Sequence, residues 1–346
     1  MVFSYYIYKY PYKLFWYLAK LLNKNEELIF YCADPIDYEM FLPIKRFLPE
    51  ITIIAKNKKS GKYLELRNVK YKRLPSFPKV VIMGRQTPYK FPVNRIIKIG
   101  FDHGLYQFKR WTSAKNYNGF DIYFVSSDEQ VKTAFSRGIY SVKAIGYPKL
   151  DDAFNGVYEK EFLEKLKIKI GIDQEKKTLI FTSTWNVAGL SAIEKWINEI
   201  ESLSDNYNIL VTVHTWTKKV YVDKLRSFKK IFFIEDYNVT PYLMISDLLV
   251  GDYSSIIGEF CAFDKPIITF RVPDSGRTIP EIQRLLKSIS RQVENFEELK
   301  KEITASLNNP EEKKRERQEA NKVLFYKLDG QAGKRAADEI KQILVK

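Results

Sequence analysis

Short runs of β-branched and aromatic residues alternate with helical segments along most of the chain. In the first half these runs predict strands at residues 28–32, 51–55, 80–83, 96–99 and 122–125. After Gly146-Tyr147-Pro148 interrupts the pattern, a second series predicts strands at 178–181, 209–213, 231–234, 248–250 and 266–270. Strands that alternate with helices are typical of βαβ units, in which the strands are parallel. The pattern therefore predicts an α/β protein with two parallel sheets.

The chain of 346 residues is longer than one ordinary domain, which also favours two. We predict a surface segment at 1–25, Rossmann-like domains at 26–150 and 151–325, and a helix at 326–346 that can return to the first domain. Ala332, Ala336, Ile340 and Leu344 would share one face of this last helix. Ligands of open α/β sheets bind at the carboxyl ends of strands, so two such domains predict a central cleft between them. This is the arrangement of the glycosyltransferase-B type.

The first 25 residues are rich in aromatic side chains with lysines spaced among them. This composition is typical of a helix that lies on an anionic membrane surface without crossing it. The alternative is that Phe15, Trp16, Leu18 and Leu22 pack on the core of the protein itself. Both interpretations stay open on the sequence.

Charge and cysteine content narrow the class of protein. Lys and Arg outnumber Asp and Glu by 57 to 42, and the resulting net charge of +15 attracts acidic partners. No zinc-finger, RNP or basic-zipper pattern accompanies this charge, so we expect no nucleic-acid partner. Cys32 and Cys261 lie far apart in apolar stretches, which excludes a disulfide scaffold and fits a reducing cytoplasm. We expect neither a signal peptide nor a membrane-spanning helix.

The sequence contains two histidines, His103 and His214, and each directly follows a predicted strand. That position favours a role in the ligand site over a structural role. Gly104 would allow a sharp turn that leaves the imidazole of His103 exposed, where it could accept a proton from a hydroxyl near neutral pH. Asp102 is interpreted either as the group that orients this imidazole or as a cap of the next turn.

A strand, a tight turn and a helix are predicted over residues 246–260. Backbone amides at the start of the helix, with the hydroxyls of Ser254 and Ser255, could donate hydrogen bonds to a diphosphate. Asp252 and Ser254 are equally typical helix-capping residues. Glu259, one turn further on, is interpreted either as a ligand of ribose hydroxyls or as a solvated glutamate on the helix surface.

The loop Thr182-Ser183-Thr184-Trp185 follows another predicted strand and offers three hydroxyls to the same ligand. Trp185 would add an aromatic face there, unless it belongs to the core. The carboxylates near these segments are not spaced as a metal site, so we expect neither a metal nor a cofactor.

Taken in chain order, these motifs resemble the CDP-glycerol glycerophosphotransferase family. They are His103-Gly104, Gly146-Tyr147-Pro148 with Asp151, Thr182 to Trp185, His214, Asp252-Tyr253-Ser254-Ser255 with Glu259, Lys265-Pro266, and Asp329-Gly330 with Arg335 and Ala336. The similarity extends from roughly residue 95 to the C-terminus. It implies a glycosyltransferase-B fold and the transfer of glycerol phosphate or ribitol phosphate from a CDP-linked donor to a lipid-linked glycan, as in teichoic-acid synthesis. The first domain would then bind the acceptor and the second the donor.

The resemblance also implies roles for the candidate residues. The base would be His103; the donor diphosphate would contact His214, Ser254 and Ser255; the nucleotide and ribose would contact Thr182, Ser183, Thr184 and Glu259; and Asp102, Gly104 and Asp252 would support the site. CMP would be released without a metal, by an enzyme peripheral to the cytoplasmic face of the membrane.

The chain departs from the pattern of that family at three places. Residues 105–110 replace a small hydroxyl residue, a proline and a lysine pair; Thr215 replaces a proline; and Glu259 stands where aspartate is more common. Two alternative functions therefore stay open. One is a sugar transferase or sugar-nucleotide epimerase with a UDP or GDP donor, and the other is a non-catalytic anion-binding or membrane-binding protein of the same fold.

Overall fold

The computed structural model describes residues 3–102, 104–105, 112–185, 191–273 and 279–345. These residues form two compact units. The first contains the described residues up to 102, together with 112–151 and 329–345. The second contains residues 104–105 and the described residues from 152 to 328.

The first unit is built on a sheet of seven strands. They are β1 (Leu28–Cys32), β2 (Thr52–Ala55), β3 (Lys72–Arg73), β4 (Val80–Met83), β5 (Ile97–Phe101), β6 (Ile122–Val125) and β7 (Val142–Ala144). The strands are parallel, in the order β3-β2-β1-β4-β5-β6-β7. Chain order runs outward in both directions from the neighbours β1 and β4, so the topological switch point lies between them.

The second unit is built on a sheet of six strands. They are β8 (Thr178–Ser183), β9 (Asn208–Val213), β10 (Ile231–Phe233), β11 (Leu248–Gly251), β12 (Ile267–Phe270) and β13 (Arg291–Val293). They are again parallel, in the order β10-β9-β8-β11-β12-β13, with the switch point between β8 and β11. The predicted fold class is confirmed, because both sheets are parallel and of the open α/β type.

Helices connect the strands. The α-helices in the described part are α1 (Phe3–Leu21), α2 (Pro35–Lys45), α3 (Lys58–Leu66), α4 (Ala114–Tyr117), α5 (Asp128–Phe135), α6 (Asp151–Phe154), α7 (Lys160–Lys169), α8 (Lys219–Ser227), α9 (Thr240–Ile245), α10 (Ile256–Cys261), α11 (Pro280–Ile289), α12 (Phe296–Asn308), α13 (Lys314–Leu324) and α14 (Ala332–Val345). Asn57, Ser127 and Asn295 begin α3, α5 and α12, because each side chain accepts a hydrogen bond from the N–H three residues further on. Over the described ranges, no helix is long and apolar enough to cross a bilayer.

Three strands were absent from the sequence prediction, namely β3, β7 and β13. Each has only two or three residues and lies at an edge of its sheet. The Lys72-Arg73 pair of β3 is exposed, and β13 begins with Arg291 and Gln292. Edge strands bury little apolar surface, so they leave no apolar run in the sequence.

Helix α1 packs on the first unit through one face. Tyr12 and Trp16 are 4% and 3% exposed, and their side chains donate hydrogen bonds to the carbonyls of Ser76 and Pro78. Core packing is therefore confirmed for Trp16. It is wrong for Phe15, Leu18 and Leu22, whose side chains remain exposed in this structure.

Two contacts join α14 to residues far away in the chain. The Asp151 carboxylate accepts hydrogen bonds from the N–H groups of Ala332, at 3.1 Å, and Gly333, at 2.6 Å, in the first turn of the helix. One turn later, Arg335 Nε donates to the carbonyl of Ile145 at 2.8 Å. The first N–H groups of a helix have no acceptor within the helix itself, and here the Asp151 carboxylate provides one. The motifs near residues 146–151 and 329–336 thus have a structural role, which is to hold the last helix on the first unit.

Gly333 tests this packing. Gly333→Ala should reduce the free energy of unfolding by about 1–3 kcal/mol, because a Cβ there would lie 2.7 Å from the carbonyl carbon and oxygen of Pro43 in α2. Urea unfolding gives the measurement. Lys341→Ala, at an exposed position of the same helix, is the control and should change stability by less than about 0.5 kcal/mol. Equal stability of the two variants would contradict the close approach of α14 to α2.

Candidate functional site

The predicted donor-site segments meet at the switch point of the second unit. Thr184 and Trp185 follow β8, His214 follows β9, and Asp252 follows β11. These three strands are neighbours, and they are parallel, so their carboxyl ends lie at one edge of the sheet. The structure therefore places the ends of these predicted segments along one edge of the sheet.

Asp252 connects these segments through its buried carboxylate. It is 2% exposed and accepts hydrogen bonds from the backbone N–H of Thr184 at 3.0 Å, of Ala192 at 2.9 Å and of Ser254 at 3.2 Å. The hydroxyl of Ser183 donates to the same carboxylate at 3.1 Å. Burial raises the pKa of Asp252 to about 6, while these donors act to lower it. The carboxylate fixes the ends of β8 and β11 relative to each other.

This role differs from the helix cap considered for Asp252. Helix α10 begins only at Ile256, and its N-cap is Ser255, whose side chain makes no capping hydrogen bond. The hydroxyl of Ser254 accepts a weak hydrogen bond of 3.4 Å from Ile256 N–H. Because α10 has only six residues, its dipole is weak support for a diphosphate. The hydroxyls of Ser254 and Ser255 are half-buried and lie in the turn between β11 and α10.

Three rings form a cluster beside this switch point. The ring centroids of Trp185 and Trp216 are 5.1 Å apart, and those of His214 and Trp216 are 5.4 Å apart. The backbone N–H of Trp216 donates to His214 Nδ1 at 3.1 Å. In a neutral imidazole the proton then resides on Nε2, so that nitrogen is the donor. His214 and Trp216 are exposed, and Trp185 is half-buried, so the assignment of Trp185 to the core is wrong.

Three predicted nucleotide contacts are corrected by burial. Thr182, Ser183 and Glu259 are no more than 1% exposed. Thr182 packs against Gly251, where an added Cβ would come within 2.8 Å of the threonine methyl, and Ser183 supports Asp252. Protein atoms cover these side chains, so in this structure they do not present hydroxyls or a carboxylate to a ligand. The view of Glu259 as a solvated helix residue is equally wrong.

The predicted base, His103, lies outside the described residues. Its neighbour Asp102 is half-buried, and its charge adds to the effect of burial in raising the pKa of Tyr117. Gly104 lies in the second unit, where an added Cβ would be 3.7 Å from Ser255 Oγ.

One ion pair at the switch point of the first unit was missed. Arg85 follows β4, and its Nε donates at 2.8 Å to Asp37 Oδ1 in the first turn of α2. Asp37 is fully buried, and burial raises its pKa to about 7 although Arg85 acts to lower it. An added Cβ at Gly84 would lie 3.0 Å from Asp37 Cβ, so a side chain there would require Asp37 to shift. The available signal was Arg85 itself, a charged residue just after a predicted strand.

Metal binding has no support in the residues that the structure describes. Among them, no three His, Cys, Asp or Glu side chains are grouped as a metal site would require.

The Asp252 network predicts a large effect of a small substitution. Asp252→Asn should reduce the free energy of unfolding by about 2–3 kcal/mol, because the amide NH₂ would face N–H groups that now lack an acceptor. Chemical denaturation gives the measurement. Asp223→Asn, at an exposed position of α8, is the control and should remain close to the unsubstituted protein.

The pH dependence gives a second readout of the same variant. The folded pKa of Asp252 is about 6, above its usual value near 4 in an unfolded chain. The unfolded chain therefore loses this proton first, and the free energy of unfolding should fall as pH rises from about 4 to about 6. The Asn variant should lack this component, and an unchanged pH profile would contradict the assigned role.

Comparison with known proteins identifies relatives of the chain. The teichoic acid poly(glycerol phosphate) polymerase of Staphylococcus epidermidis is 26% identical over 211 residues, which cover 58% of this chain and 27% of that protein. The solved structure of the wall teichoic acid polymerase TagF matches with a TM-score of 0.71 and 15% identity, covering 98% of both chains. The UDP-GlcNAc 2-epimerase from Neisseria meningitidis bound to UDP-GlcNAc matches with a TM-score of 0.61 and 14% identity, covering 92% of this chain and all of the other.

These matches differ in what they establish. At 15% and 14% identity, the two solved structures show a shared fold alone. The chain matches between 22% and 41% of the length of its curated relatives. The model of the family described as CDP-Glycerol:Poly(glycerophosphate) glycerophosphotransferase matches residues 93–342, which is well over half of the chain. The resemblance noted in the sequence is confirmed, and the chain belongs to this glycerophosphotransferase family.

Proposed function

We propose that this protein transfers an alditol phosphate, such as glycerol phosphate, from a CDP-linked donor to a hydroxyl of a lipid-linked glycan. The acceptor oxygen forms a bond to the distal phosphorus of the donor. The bond between that phosphorus and the bridging oxygen breaks, and CMP leaves. The observation that carries the proposal is the switch point of the second unit, where Asp252 fixes the strand ends beside exposed hydrogen-bond donors.

The second unit supplies the groups for the donor. His214 Nε2 and the hydroxyls of Ser254 and Ser255 would donate hydrogen bonds to the diphosphate and offset the charge that builds on the leaving CMP. Donors held in place before the reaction suit this role because they need no reorganisation. The ring of Trp216, which is 62% exposed, offers a stacking surface for the nucleobase.

The first unit supplies the groups for the acceptor. His103 is the proposed base, which takes the proton of the attacking hydroxyl. Arg85, held at the end of β4 by Asp37, would contact a phosphate or hydroxyl of the acceptor, since a guanidinium suits such oxygens. This assignment rests on the rule that open sheets bind ligands at their switch points.

The outer face of α1 favours association with an anionic membrane. Ile7, Leu14, Leu18 and Leu21 follow one another at helical spacing, and they are 62%, 59%, 44% and 79% exposed. Lysines accompany this outer stripe along the helix. A lipid-linked acceptor would require such contact. We therefore place the protein at the cytoplasmic face of the membrane, as a peripheral enzyme.

The two histidines provide the decisive test. His103→Ala should lower turnover by roughly a hundredfold to ten-thousandfold with donor affinity almost unchanged, since a base acts chiefly in the transition state. His214→Ala should weaken donor binding by roughly tenfold or more, since a contact to a charged diphosphate exists before the reaction. Titration with CDP-glycerol and an assay of transfer to a lipid-linked glycan measure the two effects.

The control for the histidine variants is Thr215→Ala, an exposed neighbour of His214. Thermal unfolding of each variant separates lost packing from lost chemistry. Near-normal turnover in His103→Ala would overturn the mechanism. Release of a nucleoside diphosphate from a UDP-linked or GDP-linked donor, in place of CMP, would support the sugar transferase; epimerisation without an acceptor would support the epimerase.

Metal independence is a further expected outcome. Turnover should persist in excess chelator, because His214, Ser254 and Ser255 would stabilise the diphosphate directly. The transfer assay is run with EDTA and then with added magnesium or manganese. Loss of turnover in chelator that either ion restores would show that a cation shares this role.

A further inference from the structure

A groove lies at the edge of the first sheet opposite the switch point. It is formed where β1, β4 and β5 begin, between α1 and the end of α14, and has a volume of about 240 Å³. Its lining combines three cations with apolar side chains, namely Lys20, Lys79, Arg95, Trp16, Ile343 and Leu344. We propose that this basal groove binds the phosphate of an anionic membrane lipid. The inference rests on the membrane association in the proposed function and adds a defined lipid site to it.

The charge of the basal groove is positive. Its one lining carboxylate, Glu27, pairs with Lys79 at 2.5 Å. Three cations against one carboxylate leave two positive charges, on Lys20 and Arg95. In the described part of the chain neither of these two forms an ion pair; instead each lies 5.9 Å from an aromatic ring centroid, Lys20 over Trp16 and Arg95 over Tyr17. Both side chains are exposed, so their charges can reach an anion.

The apolar part of the groove decides between a lipid and a soluble phosphate. Trp16, Ile343 and Leu344 line the same groove as the cations. Leu21 of the outer stripe follows the groove residue Lys20 directly in the chain and is 79% exposed. A soluble phosphate has no group for these surfaces. A lipid presents a phosphate to the cations and its acyl chains to the apolar side chains, as in interfacial helices with a basic flank.

Vesicle binding tests the proposal with the full chain. The double variant Lys20→Ala/Arg95→Ala should bind phosphatidylglycerol-containing vesicles roughly 25-fold more weakly, at about fivefold for each charge. The control, Lys58→Ala/Lys62→Ala, removes the same charge from exposed positions of α3, beyond the carboxyl end of β2, and should lose no more than roughly twofold. Sedimentation with vesicles measures both. Equal losses in the two variants, or no loss in either, would overturn the groove as the site.

A second pair of variants changes the groove from the other helix. Leu344→Glu puts a carboxylate into the lining, whereas Val345→Glu puts it next to the groove, at a position that is 89% exposed. Only Leu344→Glu should weaken vesicle binding by fivefold or more. Inorganic phosphate at millimolar concentration should not displace the protein from vesicles. Displacement would show a site for soluble anions and overturn the lipid assignment.

Donor binding separates this inference from the proposed function. The groove variants should keep the thermal shift that CDP-glycerol produces in the unsubstituted protein, because the groove and the donor groups lie in different units. A protein that binds vesicles through the groove without any shift by CDP-glycerol would overturn the proposed donor alone. A normal shift with no selective loss of vesicle binding would overturn the groove alone.

Discussion

The candidate donor site depends on the hydrogen bonds that the buried carboxylate of Asp252 accepts. The loops at the carboxyl end of a parallel sheet are not held by the hydrogen bonds that join the strands. At the switch point, the loops from the two neighbouring strands run to opposite sides of the sheet. Asp252 joins the two loops because its carboxylate accepts hydrogen bonds from backbone N–H groups in the loop after β8, in Ala192 and in its own turn. Burying this charge raises the pKa of the carboxyl, and the hydrogen bonds from Ala192, Thr184 and Ser183 act in the opposite direction. Exposed groups such as His214 can then be presented from a fixed frame.

The first unit uses buried carboxylates in a similar way. Asp37 holds Arg85 at the end of β4, and Asp151 holds the first turn of α14. In each place glycine permits the approach, Gly84 beside Asp37 and Gly333 against α2. The family motifs therefore divide into two kinds. The motifs at 214 and 252–255 lie at a candidate ligand site. The motifs at 146–151 and 329–336 hold α14 on the first unit.

Helix α1 shows why its two interpretations were not exclusive. Tyr12 and Trp16 lie on an inner stripe that packs on the segment before β4, while Ile7, Leu14 and Leu18 lie on the opposite side and stay exposed. A helix with apolar stripes on both faces has more apolar surface than its own unit can cover. The lysines of α1 and the basal groove next to the helix place positive charge beside this apolar surface, as anionic lipid would require.

The fold class and the segments that meet at the candidate donor site could be predicted from the sequence alone. Runs such as residues 178–181 mark central strands because both faces of those strands are buried. Polar residues that directly follow such runs mark strand ends, so the sequence alone predicts that His214 and Asp252 lie at the carboxyl ends of strands. The family resemblance added the chemistry that spacing alone left open.

Which of these side chains are buried and which are exposed follows from tertiary packing. Thr182, Ser183 and Glu259 have the right chemistry at the right segments, yet packing of neighbouring elements covers them. The Asp37–Arg85 pair and the basal groove join residues from separate elements, and the short edge strands β3, β7 and β13 pair without an apolar run. Burial and pairing between distant residues depend on how elements pack in three dimensions, and local sequence patterns record only the periodicity within each element.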